Sequence, residues 1–142
     1  MDSGASQHMT GREEDLDELS HQSSSFSHVT IGDNSRLKVS GRGKVVISND
    51  TSIENVLLVE SLGFKLLSVI QLAKCGYGVY FDEVSVIVIR SKTLKVAFVG
   101  HVENDMYVVN FSKETTLAAT CLIATTDVGW LWHRRLAPPH MR

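Results

Sequence analysis

The chain has 142 residues, of which 43% are hydrophobic and 21% are charged. This length and composition predict one domain, with a short tail, that is large enough to bury a core. The net charge of −2 excludes a general electrostatic attraction to nucleic acid or anionic lipid, so we expect no direct binding to nucleic acid and no membrane partner.

Neither a leader nor a membrane anchor is predicted. The first residues are polar and acidic, unlike a secretory signal peptide. The longest apolar run, residues 84–89, has the length of a strand and falls far short of the ~20 residues of a membrane span. Cys75 and Cys121 form no CxxC pair, so we expect buried thiols in a reducing compartment. An intracellular, cytoplasmic chain is therefore expected.

The chain opens with Asp2-Ser3-Gly4, the order of residue types in the active-site turn of aspartic proteases. There the carboxylate activates water, the hydroxyl holds the loop, and the glycine lets a second, identical loop approach closely. Alone, the tripeptide is weak evidence, since it arises by chance in roughly one chain in twenty of this length. A polar, frayed N-terminus is the alternative interpretation.

The next segments change from helical to β signals. Thr10-Gly11-Arg12-Glu13 has the spacing of a capping box, which predicts a short helix after Thr10. Residues 29–31 and 36–39 flank a cluster of turn residues and predict a hairpin. Gly41 and Gly43 predict a bend or bulge that follows it.

The remaining pattern is that of short strands with one helix among them. Strands are predicted at residues 53–59, 77–81, 84–90, 94–99 and 106–111, and a helix at residues 66–74. This arrangement favours a mainly β fold, a small closed β-barrel. Residues 129–136 predict a short helical tail that Pro138 and Pro139 stop. The predicted core includes Val45, Ile47, Val56, Leu58, Leu67, Val86, Val88 and Val108.

The predicted organisation has three parts. Residues 1–28 form an active-site turn and mobile linker, residues 29–111 a β-barrel domain, and residues 112–142 a linker with a C-terminal segment. This division follows the change from polar, serine-rich sequence to strand-length apolar segments, which weakens again after Phe111.

Other chemistry finds little support in the residue pattern. A row of basic residues could meet phosphates, but its alternation with apolar residues fits a solvated strand face better. The six histidines include no HxxxH pair, so we predict no metal site. No glycine-rich loop lies between a strand and a helix, so no cofactor is predicted. The basic row consists of Arg36, Lys38, Arg42 and Lys44.

Five motifs, in the same order along the chain, resemble a segment of the Gag-Pol polyprotein of plant copia-type retrotransposons. They cover nearly the whole sequence and include both the opening turn and the tryptophan-rich end. The motifs are Asp2-Ser3-Gly4-Ala5-Ser6-Gln7-His8-Met9, Ile31-Gly32-Asp33-Asn34-Ser35 with Gly41-Arg42-Gly43, Asn55-Val56-Leu57-Leu58-Val59, Leu66-Leu67-Ser68-Val69-Ile70-Gln71-Leu72, and Gly129-Trp130-Leu131-Trp132-His133-Arg134-Arg135-Leu136.

The resemblance implies a retropepsin-like closed β-barrel followed by the start of a GAG-pre-integrase region. It also implies an aspartic endopeptidase that cleaves its own polyprotein, with Asp2 as the catalytic carboxylate and with Ser3 and Gly4 shaping its loop. Enzymes of this kind bring one Asp from each of two subunits together, so that the two carboxylates share a proton. The implied partners are a polyprotein peptide as substrate and a second copy in a homodimer, without cofactor or metal.

The chain departs from the family pattern at both ends, as a fragment would. Family members have a hydrophobic strand before the Asp, and here only Met1 precedes Asp2. Pro138 stands where the family has its second zinc-ligating His, so we expect the tail to bind no zinc. Because a terminus frays unless it is tied down, we expect this chain to be inactive as a peptidase. The alternative function is a non-catalytic β-barrel remnant or interaction module.

Overall fold

The structure is a computed structural model of the chain that describes residues 1–2, 4–21 and 27–111. Nine strands, one 3₁₀ turn and one α-helix lie within these residues. In chain order they are β1 (Met9–Thr10), the 3₁₀ turn (Glu13–Asp15), β2 (Glu18–His21), β3 (His28–Thr30), β4 (Arg36–Ser48), β5 (Thr51–Val59), α1 (Val69–Lys74), β6 (Tyr77–Phe81), β7 (Ser85–Arg90), β8 (Lys95–Glu103) and β9 (Met106–Val109).

The first sheet is a half-barrel with the strand order β1-β5-β4-β2. Its long strand β4 pairs with β3 in its first part and with β2 further along, which confirms the predicted hairpin. The register of β4 against β5 shifts on either side of Gly41 and Gly43, as the glycines predicted. A Cβ atom at Gly43 would lie 2.3 Å from the Glu18 carbonyl oxygen, so β2 approaches β4 too closely for a side chain.

The second sheet is an antiparallel meander with the strand order β6-β7-β8-β9. Its four strands begin within one residue of the predicted starts, and β8 and β9 differ from the prediction in where they end. Asn104 and Asp105, both with positive φ, form the two-residue connection between β8 and β9. Positive φ at both central residues is the geometry that matches the right-handed twist of a hairpin.

Two hydrophobic clusters hold the sheets. The first is built on β1, β4, β5 and the loop after β5, and the second joins β5, α1 and the second sheet. Half of the predicted core is buried, namely Val56, Leu58, Val86 and Val88, and the other half, Val45, Ile47, Leu67 and Val108, is partly buried. The buried members of the second cluster are Ile53, Val56, Leu72, Val88 and Phe98.

The helix predicted after Thr10 is wrong. The structure has a single 3₁₀ turn at Glu13–Asp15 followed by extended backbone at Leu16. The Thr10 hydroxyl donates a hydrogen bond of 2.5 Å to the Asp15 carboxylate instead of capping a helix. Pairing of β2 with β4 outweighs the weak local helix signal.

The second helix and its neighbouring cysteine also differ in detail from the sequence predictions. Helix α1 begins at Val69 and not at residue 66, because Leu66 and Ser68 form β-bridges with the N-terminal segment. Cys75, expected to be buried, is exposed as a free thiol at the end of α1. At six residues, α1 is far too short to cross a bilayer, and it is the one α-helix of the described ranges.

The predicted mainly β class is confirmed, since strands dominate the described residues. Hydrogen bonds among these strands build two sheets, and closure into a single barrel stays a prediction. The predicted helical tail and Cys121 lie outside the described residues.

Candidate active-site loop

The backbone of Asp2 is fixed against the segment that leads into α1. Its N–H donates a hydrogen bond of 3.0 Å to the Leu67 carbonyl, and its carbonyl accepts one of 3.2 Å from the Val69 N–H. These two bonds form a parallel bridge between Asp2 and Ser68. Asp2 is therefore held through both its backbone N–H and its carbonyl, as a residue of an edge strand is.

The Asp2 carboxylate is exposed and is turned back onto its own loop. Its Oδ1 accepts a hydrogen bond of 2.7 Å from the Gly4 N–H, which fixes the carboxylate orientation. A Cβ atom at Gly4 would lie 3.3 Å from this same oxygen, so a side chain there would crowd the carboxylate. Ser3 lies outside the described residues, and the predicted role of its hydroxyl stays a prediction.

The rest of the loop is held by two side chains from α1 and its N-cap. The fully buried Ser68 donates a hydrogen bond of 2.6 Å from Oγ to the Ala5 carbonyl and accepts one of 3.3 Å from the Gln71 N–H. Gln71 Nε2 donates one of 2.7 Å to the Ser6 carbonyl. The sequence alone did not identify Ser68 and Gln71 as parts of the site. The only signal in the sequence is that both lie within residues 66–72, one of the five motifs quoted above.

His8 lies beneath the loop and is 2% exposed. Its Nδ1 accepts a hydrogen bond of 3.0 Å from the Ser68 N–H, and its carbonyl accepts one of 2.9 Å from Leu57. Burial lowers the pKa of His8 to about 4. The imidazole is therefore neutral at physiological pH, with the proton on Nε2, because a protonated Nδ1 could not accept this bond.

The expected fraying of the N-terminus is wrong. The Met1 ammonium donates a hydrogen bond of 2.6 Å to the Tyr107 carbonyl in β9, and the Met1 side chain packs against the second core cluster. Partial burial lowers the pKa of this amino group, and the Asp2 carboxylate partly offsets the effect. The residue before Asp2 is thus attached to the second sheet.

A cleft of about 280 Å³ opens beside His8, between the first sheet, α1 and the second sheet. The charged residues in its wall have mixed signs, and Asp2 is not among them. The guanidinium of Arg90 donates hydrogen bonds to the Asp50 carbonyl and to the Thr51 hydroxyl, so it ties the two sheets together. The lining residues are His8, Asp50, Ser52, Ile53, Glu54, Leu72, Cys75, Tyr77 and Arg90.

Three of the four residues of the basic row on β4 have local partners. Lys38 pairs with Glu60 at 3.0 Å and Lys44 pairs with Glu18 at 2.8 Å. Arg42 donates a hydrogen bond of 3.4 Å to the Asn55 side chain. Acidic partners thus offset the charges of Lys38 and Lys44, whereas Arg42 has a neutral amide neighbour. In the ranges that the structure describes, no three His, Cys, Asp or Glu side chains are grouped as metal ligands.

Comparison with known protein families identifies the family to which the chain belongs. The model of the Pol polyprotein β-barrel domain matches residues 1–77, more than half of the chain. The match contains the Asp2 loop, the whole half-barrel, α1 and the first residue of β6. No curated protein and no solved structure matches the chain. The chain belongs to the family of Pol polyprotein β-barrel domains.

Proposed function

We propose that this chain is the aspartic-protease-like region of a copia-type retrotransposon Pol polyprotein, of the kind found in plants, and that its chemistry is hydrolysis of peptide bonds in that polyprotein. The observation that carries the proposal is the Asp2 loop. Its backbone is pinned between Leu67 and Val69, and its exposed carboxylate is oriented by the Gly4 N–H. A carboxylate that is both exposed and oriented suits an attack by water on a bound peptide.

The reaction needs two carboxylates, and this chain supplies one. Asp-Ser-Gly occurs once in the sequence, so the second carboxylate is Asp2 of another copy. The ionised carboxylate takes a proton from water as the oxygen attacks the carbonyl carbon, and the protonated one gives its proton to the carbonyl oxygen. As the C–N bond of the tetrahedral intermediate breaks, the carboxyl group that took the proton from water gives it to the leaving nitrogen, and a hydroxyl of the intermediate returns its proton to the other carboxylate. The isolated monomer is therefore inactive.

The remaining parts of the proposal concern the longer polyprotein. Residues 129–136 are assigned to the start of a GAG-pre-integrase region, and the barrel is closed in the assembled enzyme. The setting is cytoplasmic, and the substrate is the polyprotein itself. The single Asp-Ser-Gly also favours a second candidate, a non-catalytic interaction module, because a chain that stays monomeric has half a catalytic site.

A paired measurement of mass and cleavage tests the proposal. Sedimentation equilibrium over a wide range of protein concentration gives the dimer fraction, and a fluorogenic peptide library at pH 4–7 reports cleavage. The sequence alone predicted an inactive chain because its N-terminus was expected to fray. Since Met1 is attached to Tyr107, we now expect activity to follow the dimer fraction and to vanish in Asp2→Asn. Asp33→Asn is the matched control, because Asp33 Oδ1 also accepts a local backbone hydrogen bond, from Ser35 at 2.9 Å, in an exposed turn.

Each result of this experiment has a defined meaning. Cleavage that survives Asp2→Asn would rule out Asp2 as the catalytic carboxylate. A strict monomer without activity at every concentration would favour the interaction module. Cleavage that Asp33→Asn removes as well would show that the effect does not belong to the Asp2 loop.

A further inference from the structure

Two side chains that the catalytic motif does not contain hold the loop that carries Asp2. We propose that Ser68 and Gln71 are positioning residues for the Asp2 carboxylate, which they serve by fixing the loop that follows it. This role rests on the proposed function, because it concerns the rate of a reaction at Asp2. Neither residue touches the carboxylate itself, so their effect is transmitted through the backbone of the loop.

Ser68 is suited to this role by its hydroxyl, which acts as donor and acceptor at once. It donates to the Ala5 carbonyl at 2.6 Å while it accepts from the Gln71 N–H at 3.3 Å. The Ser68 backbone N–H adds the bond to His8, and its neighbours Leu67 and Val69 bind the Asp2 backbone. Because Ser68 is fully buried, water cannot replace the hydroxyl if it is removed.

Gln71 completes the arrangement from the first turn of α1. It lies three residues after Ser68, on the same side of the helix. Its Nε2 donates to the Ser6 carbonyl at 2.7 Å, so two consecutive loop carbonyls, those of Ala5 and Ser6, each have a side-chain donor. The side chain of Gln71 is only partly buried, so it can be changed without opening a cavity in the core.

The hydrogen bonds from Ser68 and Gln71 affect catalysis because they fix the position of the Asp2 loop. The loop is fixed before Gly4 by the Asp2 backbone and after it by Ser68 and Gln71. A displacement of ~1 Å at a reacting group can cost about a hundredfold in rate. Loosening the far side of the loop should therefore lower kcat and leave KM nearly unchanged, since the proposed role of both residues is to hold the loop and not to bind the peptide.

The test combines loop order with cleavage in the same set of variants. Ser68→Ala removes the hydroxyl, and Gln71→Met removes the amide donor while keeping the length of the side chain. Lys74→Met is the control for a change of exposed residue in α1. Leu72→Ala is the control for lost stability, because Leu72 is buried in the second cluster and has no hydrogen-bonding side chain. Ser68→Thr keeps a hydroxyl and tests rescue.

Backbone ¹⁵N order parameters of residues 5–7 give the readout that does not depend on activity. We expect values near 0.85 in the unchanged chain and values below about 0.6 in Ser68→Ala and Gln71→Met. Lys74→Met and Leu72→Ala should keep the ordered values, and Ser68→Thr should restore them. Unchanged order in both Ser68→Ala and Gln71→Met would overturn the proposal, as would an equal loss of order in Leu72→Ala.

Cleavage by the dimer is the second readout. We expect kcat to fall between about tenfold and a hundredfold in Ser68→Ala and Gln71→Met, with KM within a factor of two. Variants that cleave at the unchanged rate would overturn the positioning role. If the unchanged chain itself does not cleave, that failure counts against the proposed protease, and the order parameters alone decide whether Ser68 and Gln71 hold the loop.

Discussion

The backbone N–H of Ser68 donates a hydrogen bond of 3.0 Å to Nδ1 of His8, sixty residues earlier in the chain. The bond requires a neutral imidazole, because a proton on Nδ1 would place two donors against each other. Since His8 is almost fully buried, water cannot relieve this conflict. The contact therefore couples the attachment of the Asp2 loop to pH.

The first prediction concerns stability between pH 7 and pH 4. In the unfolded chain His8 binds a proton below about pH 6.5, whereas in the folded chain its pKa is lowered to about 4. The contribution of neutral His8 to the free energy of unfolding is therefore complete above pH 6.5. It declines as the pH falls towards 4 and changes no further below that. The loss should reach about 3 kcal/mol, measured by urea unfolding at several pH values.

The control for this prediction is His8→Asn, whose Oδ1 can accept the Ser68 bond and does not titrate. It should lack the decline, while His101→Asn, at an exposed histidine, should keep it. Asp15 does not titrate in the pH range of this decline. Desolvation raises the pKa of its carboxyl group, but hydrogen bonds from Lys65 and Thr10 outweigh this effect and lower the pKa below 3.8. Its stabilising effect is therefore lost at lower pH than the His8 window. An undiminished decline in His8→Asn would contradict the assignment to His8.

The second prediction concerns the contact between the two sheets. Leu72 is 1% exposed and packs with Ile53, Val88 and Phe98. Leu72→Ala should lower the free energy of unfolding by about 3 kcal/mol, because it leaves a cavity that its neighbours cannot fill. Ile70→Ala, at a residue of the same helix that is 46% exposed, should cost less than about 1 kcal/mol. Equal losses in urea unfolding would show that α1 is not the link between the sheets.

The third prediction is a gain in stability at the turn between β7 and β8. Leu94 has φ +56° and is 55% exposed, a conformation that costs a leucine roughly 1 kcal/mol. Leu94→Asn should raise the free energy of unfolding by about 0.5 kcal/mol, since Asn tolerates this region better. Val84→Asn is the control, at a residue that is 65% exposed and is not among those with positive φ. A similar gain there would show that the removal of an exposed apolar side chain, and not the positive φ, is the cause.

The fourth prediction is a steric one at Gly11. A Cβ atom there would lie 1.9 Å from the Leu62 carbonyl oxygen, so the loop after β1 and the loop after β5 would have to separate. Gly11→Ala should cost at least about 2 kcal/mol. Gly63→Ala, where an added Cβ meets nothing within 4 Å, should change stability by less than about 0.5 kcal/mol. A small loss at Gly11 in thermal unfolding would mean that the two loops move apart easily.

The strands could be predicted from the sequence because their signals are local. Alternating residues and turn clusters placed the hairpin of β3 with β4 and the four strands of the second sheet close to their observed positions. The capping-box spacing after Thr10 is also a local signal, yet β2 pairs with β4 there instead. A short helix with only Leu16 and Leu19 as apolar residues gains less from packing than a strand that completes a sheet.

The candidate site could be predicted only in part. The motif itself pointed to Asp2 and Gly4, because residue types adjacent in sequence carry that signal. The partners Ser68 and Gln71 meet the loop across more than sixty positions, and no periodicity links such distant residues. The anchoring of Met1 by Tyr107 was missed for the same reason, since it depends on how the second sheet packs against the first.

The bond between Met1 and Tyr107 joins residues separated by 106 positions, and this separation sets an order of events during protein synthesis. A ribosome adds about 5–20 residues per second, so Asp2 is made roughly 5–20 s before Tyr107. Contacts of such long range form late in folding, because closing a long chain segment is costly in entropy. The bond from Met1 to Tyr107 therefore forms only after β9 has been made, whereas the hydrogen bonds between residues 67–71 and the Asp2 loop can form before β9 is synthesised.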